Sequence, residues 1–317
     1  MPSPNLDAVW RLATAQWAEI TAYSPDLAPA VSLQQRLLRL TIEASAALDE
    51  TTLTTLTAAS IRGKWTQGLP ALRNETVAIP AGLKDVLLPL CTALAECGAG
   101  ESAVHIRDAI AANRIDADSL LSVSLARNRK AIRTNALHMG FSPDLVWLIG
   151  ELGSAPLAHH LSAGLKMTAV VGEVRNGDQV HGADLEISLE KWDRGYCPFC
   201  GSWPTFIEAQ DDAHTLRCSY CALGWSLQSH RCVYCGNAGE DFVAAAPDVN
   251  QPQRRVELCG QCSGYTKVID VPHPTPFPLL AIEDLATLNL DQGAMSRGYR
   301  RPELFDLDAI APRTSTC

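Results

Sequence analysis

The sequence predicts an α+β protein: an all-helical N-terminal domain, then two metal-clipped β modules, then a short C-terminal helix. Three observations predict it. Residues 1–168 are dense in Ala and Leu, with apolar positions recurring every three or four residues, which is helical periodicity. Four CxxC pairs then fall within 66 residues, Cys197/Cys200, Cys218/Cys221, Cys232/Cys235 and Cys259/Cys262. Strand-like runs separated by polar turns lie between those pairs.

The helical domain, residues 1–168, reads as a bundle of roughly six to eight helices. Gly/Pro breaks fall at Gly68 to Pro80 and at Gly98 to Glu101. Ser32-Leu-Gln-Gln35 resembles a capping box ahead of LLRLTIEASAAL, and Ser142-Pro143 puts proline at the first position of a helix over PDLVWLIGEL. Residues 169–190 lose the helical period and carry Gly-Asp and Gly-Ala punctuation, so they read as a connector, with a strand as a further option.

The first metal module is placed at residues 191–231 and the second at 232–272. In the first, 17 residues separate Cys200 from Cys218 and read as a hairpin, WPTFIEA and AHTLRC around a polar turn. In the second, 23 residues separate Cys235 from Cys259, and DFVAAA and RRVELC flank a PDVNQPQ turn. Each second knuckle leads into another strand-like run, GWSLQSHR or GYTKVIDV, so each module is a three-stranded ribbon. Residues 273–317 begin with a proline-rich PHPTPFP stretch that favours extended backbone, and IEDLATLNLDQGAM follows as an amphipathic helix.

The chemistry lies in the eight thiols. A divalent ion such as zinc takes four soft donors at about 2.3 Å in a tetrahedron, and two cysteines two residues apart supply two of them from one tight turn. CPFCG and CVYCG end in glycine, which permits the positive φ needed as the chain folds over the sulfurs, whereas CSYCALGW and CGQCSGY carry glycine later. Sequential pairing, Cys197/Cys200 with Cys218/Cys221 and Cys232/Cys235 with Cys259/Cys262, is favoured because a hairpin separates the partners. Interleaved pairing is the alternative. Two ions, iron or zinc, one per four-cysteine site, are therefore expected; four sulfurs suit both metals. The competing reading is a disulfide framework. MPSPNLDAVW lacks the basic and apolar regions of an export signal, so a reducing cytoplasm is expected and metal is preferred.

Composition excludes several classes. The net charge of −9, with nine carboxylates against seven basic side chains in residues 191–270, argues against a nucleic-acid grip. No run of 18 apolar residues suggests a membrane span. A closed four-thiolate site leaves no open position for substrate, and no nucleophile–base order or phosphate loop stands out, so no enzyme active site is expected. His159 and His160, adjacent on a helix, point about 100° apart and cannot share an ion. His214 and His230 lie near cysteines that already fill both sites. Cys91 and Cys97 read as small buried residues, Cys317 as exposed, and Trp203, Trp225 and Tyr265 as packing over the metal clips.

CPFCGSWP, LRCSYCALGWSLQSHRCVYC, ELCGQCSGYTKVID and EDLATLNLDQGAMSRGYRRP together resemble the formate dehydrogenase accessory protein FdhE family across about residues 195–302. In the helical half only Gly68-Leu-Pro-Ala-Leu72 resembles the family pattern. The resemblance implies a cytoplasmic maturation factor with rubredoxin-like or zinc-ribbon centres, needed for a molybdenum- or tungsten-dependent formate dehydrogenase and contacting its catalytic subunit. Asp284, Asp291 and Gly298-Tyr299 match the family's ending; helix capping and docking is their simplest role. The residues alone leave two other classes open, a CxxC redox protein and, against the charge balance, a zinc-ribbon nucleic-acid binder.

Overall fold

The structure, a computed structural model, describes residues 6–48, 56–171, 182–211, 213–245 and 251–302. Cys317 and most of the connector, 172–181, lie outside the described residues. The chain divides into two compact units, Met1–Thr55 with Asn74–Gly164, and Leu56–Arg73 with Leu165–Cys317. The architecture is mixed helix and sheet, as the sequence predicts.

The first unit is helical: α1 (Leu6–Tyr23), α2 (Ala28–Ala46), α4 (Ala81–Lys84), α5 (Leu87–Leu94), α6 (Gly100–Ala111), α7 (Ala117–Leu125), α8 (Arg129–His138) and most of α9 (Pro143–Val171). Side-chain caps fix several starts. Asp116 accepts from the Ser119 amide at α7, and Asn128 from the Ala131 amide at α8. Proline opens α9, as expected. Ser32 does not open a helix: α2 starts four residues earlier, after a 3-10 turn at Pro25–Leu27, because Pro29 already suits its first turn. The break at Gly98 is a π-type turn over Ala95–Ala99, where Gly98 (φ 133°) and Gly100 (φ 49°) take angles other residues resist. The core forms where α9 lies close to α5 and α7. A methyl group on Gly153 would meet Leu87 at 2.7 Å, and one on Gly150 would meet Leu120 at 2.9 Å. Cys91 is fully buried there, and burial pushes its thiol up to about 11.

The second unit carries a six-stranded sheet in the order β3-β2-β1-β6-β5-β4. The strands are β1 (Phe206–Gln210), β2 (Ala213–Arg217), β3 (Gly224–Trp225), β4 (Phe242–Ala244), β5 (Arg254–Cys259) and β6 (Gly264–Asp270). Both expected hairpins form, with Phe206 opposite Arg217 and Phe242 opposite Cys259. The two three-stranded ribbons are not separate. They join edge to edge through a parallel pairing of β1 with β6, Ile207 opposite Val268, which satisfies two strand edges that would otherwise stay open.

Four helices complete this unit. Helix α3 (Ala58–Thr66), from the stretch the sequence assigns to the helical domain, packs on α10 (Gly182–Glu190). The α10 residues, read as connector or strand, are helical. The expected single C-terminal helix is two, α11 (Phe277–Ala286) and α12 (Leu288–Met295), because Thr287 leaves helical geometry at φ −110° and ψ 20° and its hydroxyl turns back to the Glu283 carbonyl.

Candidate metal centres

Each CxxC pair sits at a tight turn, and the first three turns are closed by the same backbone bond. Gly201 donates to the Cys197 carbonyl, Ala222 to Cys218 and Gly236 to Cys232, at 2.8–2.9 Å. The residue after the second cysteine is left-handed in all four turns: Gly201 (φ 82°), Ala222 (φ 61°), Gly236 (φ 78°) and Ser263 (φ 54°). The later glycines of the second and fourth knuckles therefore do not supply this geometry. Ala222 and Ser263 accept the strain themselves, at a cost of roughly 1–2 kcal/mol each.

Strand pairing brings the knuckles together sequentially. Cys197, Cys200, Cys218 and Cys221 form one group and Cys232, Cys235, Cys259 and Cys262 another, all sulfurs of a group lying within 4.8 Å of one another. The closest sulfurs are Cys197 and Cys221, and Cys200 and Cys218, each at 3.6 Å. In the second group they are Cys232 and Cys262 at 3.7 Å and Cys235 and Cys259 at 3.6 Å.

These spacings decide between the two readings of the cysteines. A disulfide needs about 2.05 Å. Four sulfurs at about 2.3 Å from a central ion stand about 3.8 Å apart. The observed tetrads match the second figure, so the donor set fits zinc or iron. Burial pushes the Cys197 and Cys221 thiols far above their ordinary range, with neighbouring sulfurs adding to it. A cation at the centre of the group would remove that penalty by standing where the protons otherwise would. Ser202 Oγ stands 3.3 Å from Cys200 Sγ and Asn237 Nδ2 3.8 Å from Cys259 Sγ, where each can donate to a thiolate.

The other residues singled out from sequence fall around these tetrads rather than in them. Trp203 packs edge-on between Tyr196 and Tyr234, which flank the first and third knuckles, at ring distances of 6.1 and 5.1 Å. Trp225 donates to the Arg194 carbonyl at 3.0 Å. His230 Nε2 meets Glu257 Oε1 at 2.8 Å, and its ring lies 5.8 Å from that of His214; neither completes a sulfur group.

The tail motif has a defined task. Lys267 on β6 is fully buried, and its ammonium meets the carboxylates of Asp284 at 2.6 Å and Asp291 at 2.8 Å. Asp291 also accepts from the Tyr265 hydroxyl at 2.8 Å, and Arg301 reaches both carboxylates at 3.2–3.3 Å. The motif thus pins α11 and α12 to the second ribbon. Arg300 then pairs with Gly264, its amide donating to the Ser263 carbonyl at 2.9 Å, and closes the tail over the fourth knuckle.

Sequence reading missed what covers the first knuckle. The Pro198 carbonyl accepts from the Trp65 indole and from the Ala71 amide, both at 2.8 Å, and the Phe199 carbonyl accepts from the Leu72 amide at 2.9 Å. The Tyr196 hydroxyl donates to the Gly68 carbonyl at 2.7 Å. The Gly-Leu-Pro-Ala-Leu resemblance at 68–72 was the available signal. Gly195 was a second omission: a methyl group there would stand 1.6 Å from the Val233 carbonyl oxygen of the third knuckle.

Fold and site together define a metal-ribbon protein: a helical unit and one sheet that carries two four-cysteine centres. Comparison with known proteins narrows this class. No family model matches the chain. It is 33% identical over 128 residues, 38% of this chain and 44% of the relative, to "Protein FdhE homolog" of Aquifex aeolicus (strain VF5). It is 35% identical over 107 residues, 32% and 35% of the two chains, to "Protein FdhE homolog" of Shewanella baltica (strain OS185). To "Protein FdhE" of Escherichia coli O127:H6 it is 30% identical over 115 residues, 35% and 37%. The match thus spans less than half the length of each of these curated relatives. The crystal structure of the FdhE protein from Pseudomonas aeruginosa has a similar fold, with a TM-score of 0.51 at 20% identity over 92% of this chain and 93% of that one. The likeness is thus to FdhE proteins, in sequence over about a third of this chain and in fold over most of it. Among the described residues no helix is long and apolar enough to cross a membrane.

Proposed function

We propose that this protein is a cytoplasmic accessory factor for the maturation of a molybdenum- or tungsten-dependent formate dehydrogenase. It binds the catalytic subunit through a scaffold whose second unit is held by two metal ions. The observation that carries this reading is the pair of four-sulfur groups on one continuous sheet, in a chain that resembles FdhE proteins. Cys197, Cys200, Cys218 and Cys221 would hold one ion, and Cys232, Cys235, Cys259 and Cys262 the other. Zinc would contribute folding energy, and iron would add a one-electron couple. Four thiolates fill a tetrahedral ion, so neither centre offers a place for a substrate, and the chain acts by binding rather than by catalysis.

The chain's own residues build the scaffold. The β1–β6 pairing and the Gly195–Val233 approach fix one knuckle set on the other, and Lys267 ties the tail to the sheet. The test is to delete the gene in a host that makes such a dehydrogenase, and to capture the catalytic subunit from extract with the tagged protein. Enzyme that is synthesised but inactive, recovered by the full chain and not by a chain with Cys197→Ser and Cys232→Ser, is the expected result. Normal formate oxidation without the protein would refute the reading.

A further inference from the structure

The two sulfur groups differ in how they meet solvent. All four thiols of the first group are buried, and so is every residue from Cys197 to Ser202. Residues 65–72 seal that knuckle with three hydrogen bonds to the Pro198 and Phe199 carbonyls. In the second group Cys232 and Cys259 are buried, Cys262 is half-buried and Cys235 is exposed. The space beside Gly236 is open, with nothing within 4 Å of where a methyl group would stand, and Gly260, Gln261 and Ser263 of the fourth knuckle are exposed.

We infer that the second centre is the exchangeable and chemically reactive one, open at Cys235 and Cys262 to small thiols, chelators and redox partners, while the first is a sealed structural clip. This rests on the reading of both groups as ion sites. An exposed thiolate can be replaced by an entering ligand without unfolding. With an ion held at the second centre, the sulfur of an entering small thiol would take the place of Cys235 Sγ, and the proton it loses would pass to Cys235. One metal–sulfur bond forms, one breaks, and no electron moves. The same event at the first centre requires residues 65–72 to lift away, a local opening of buried hydrogen bonds. Should the ions be iron, an outside donor or acceptor would approach closest at Cys235.

The experiment uses the full chain purified without oxygen. Total metal and free thiols are measured first. A chromogenic chelator, 4-(2-pyridylazo)resorcinol, is then added together with iodoacetamide, and alkylated cysteines are mapped by mass spectrometry over time. The inference predicts two phases of one ion each, the slower by about tenfold or more because three hydrogen bonds must open. Cys235 and Cys262 should be labelled in the fast phase, and Cys197, Cys200, Cys218 and Cys221 only in the slow one. Trp65→Phe should quicken the slow phase alone. Release of both ions in one phase, or early labelling of the first group, overturns the inference with the ion sites intact. A protein that carries no metal at the outset refutes the ion sites themselves.

Discussion

The indole nitrogen of Trp65 lies 2.8 Å from the carbonyl oxygen of Pro198, 133 positions along the chain, and the contact is buried. It joins α3 to the turn between two proposed metal ligands, so a residue remote in sequence sets how the first knuckle is sheltered. Trp65→Phe keeps most of the ring volume and removes the donor. Pro198 still accepts from Ala71, so the cost should be modest, about 0.5–1.5 kcal/mol. Urea unfolding of the metal-loaded protein, with the change read at constant m-value, checks it.

Lys267 is the most demanding residue of the second ribbon, a cation with no solvent exposure held between Asp284 and Asp291. Removing one partner of a buried pair strands the others, so Lys267→Met should cost about 3–5 kcal/mol. Lys267→Met combined with Asp291→Leu should cost less than the two single changes added, since the stranded carboxylate has gone. Thermal unfolding of the four proteins closes this cycle; additive effects would contradict the coupling.

Gly195 and Gly293 should respond oppositely to alanine. At Gly195 the added carbon would stand 1.6 Å from the Val233 carbonyl oxygen, a backbone atom with no freedom to yield, and the two knuckle sets must separate. At Gly293 in α12 nothing lies within 4 Å, so Gly293→Ala should stabilise by about 0.5–1 kcal/mol through helix propensity. Melting temperature and metal content measured together separate the outcomes. Both should fall for Gly195→Ala, and the temperature alone should rise for Gly293→Ala.

Asp193 supplies an acid-limb test. Burial raises its carboxyl, but the Arg231 guanidinium at 2.6 Å and the Gln228 amide outweigh it and hold the group below its ordinary range. A depressed carboxyl contributes stability that is full above its unfolded value near pH 3.9 and is lost as pH falls through the folded value. Asp193→Asn should therefore be less stable at neutral pH and should converge with the native chain in acid, as read by denaturant midpoints across pH.

What the sequence made legible was what short-range rules control. The CxxC spacing, the hairpin between Cys200 and Cys218, the proline start at Pro143 and the break at Gly98 all depend on a few neighbouring residues, and all appear in the structure. What it hid depends on contacts far apart in the chain. Nothing local at Ile207 or Val268 announces that two ribbons share an edge. Nothing near Lys267 in the chain announces that Asp284 and Asp291 fold over it. Residues 182–190 belong to the stretch whose Gly-Asp and Gly-Ala punctuation reads as a connector, with a strand as a further option, but they are helical where α10 packs on α3. The left-handed Ala222 and Ser263 also went unread, because propensity disfavours what the knuckle geometry requires.

The central claim is that the eight thiols hold two ions. Metal analysis of anaerobically purified protein by plasma mass spectrometry, with a thiol titration beside it, tests this most directly. Two iron or zinc ions per chain, falling to about one in Cys197→Ala with its second centre retained, is the predicted result. A metal-free chain whose knuckle cysteines are paired as four disulfides would contradict it.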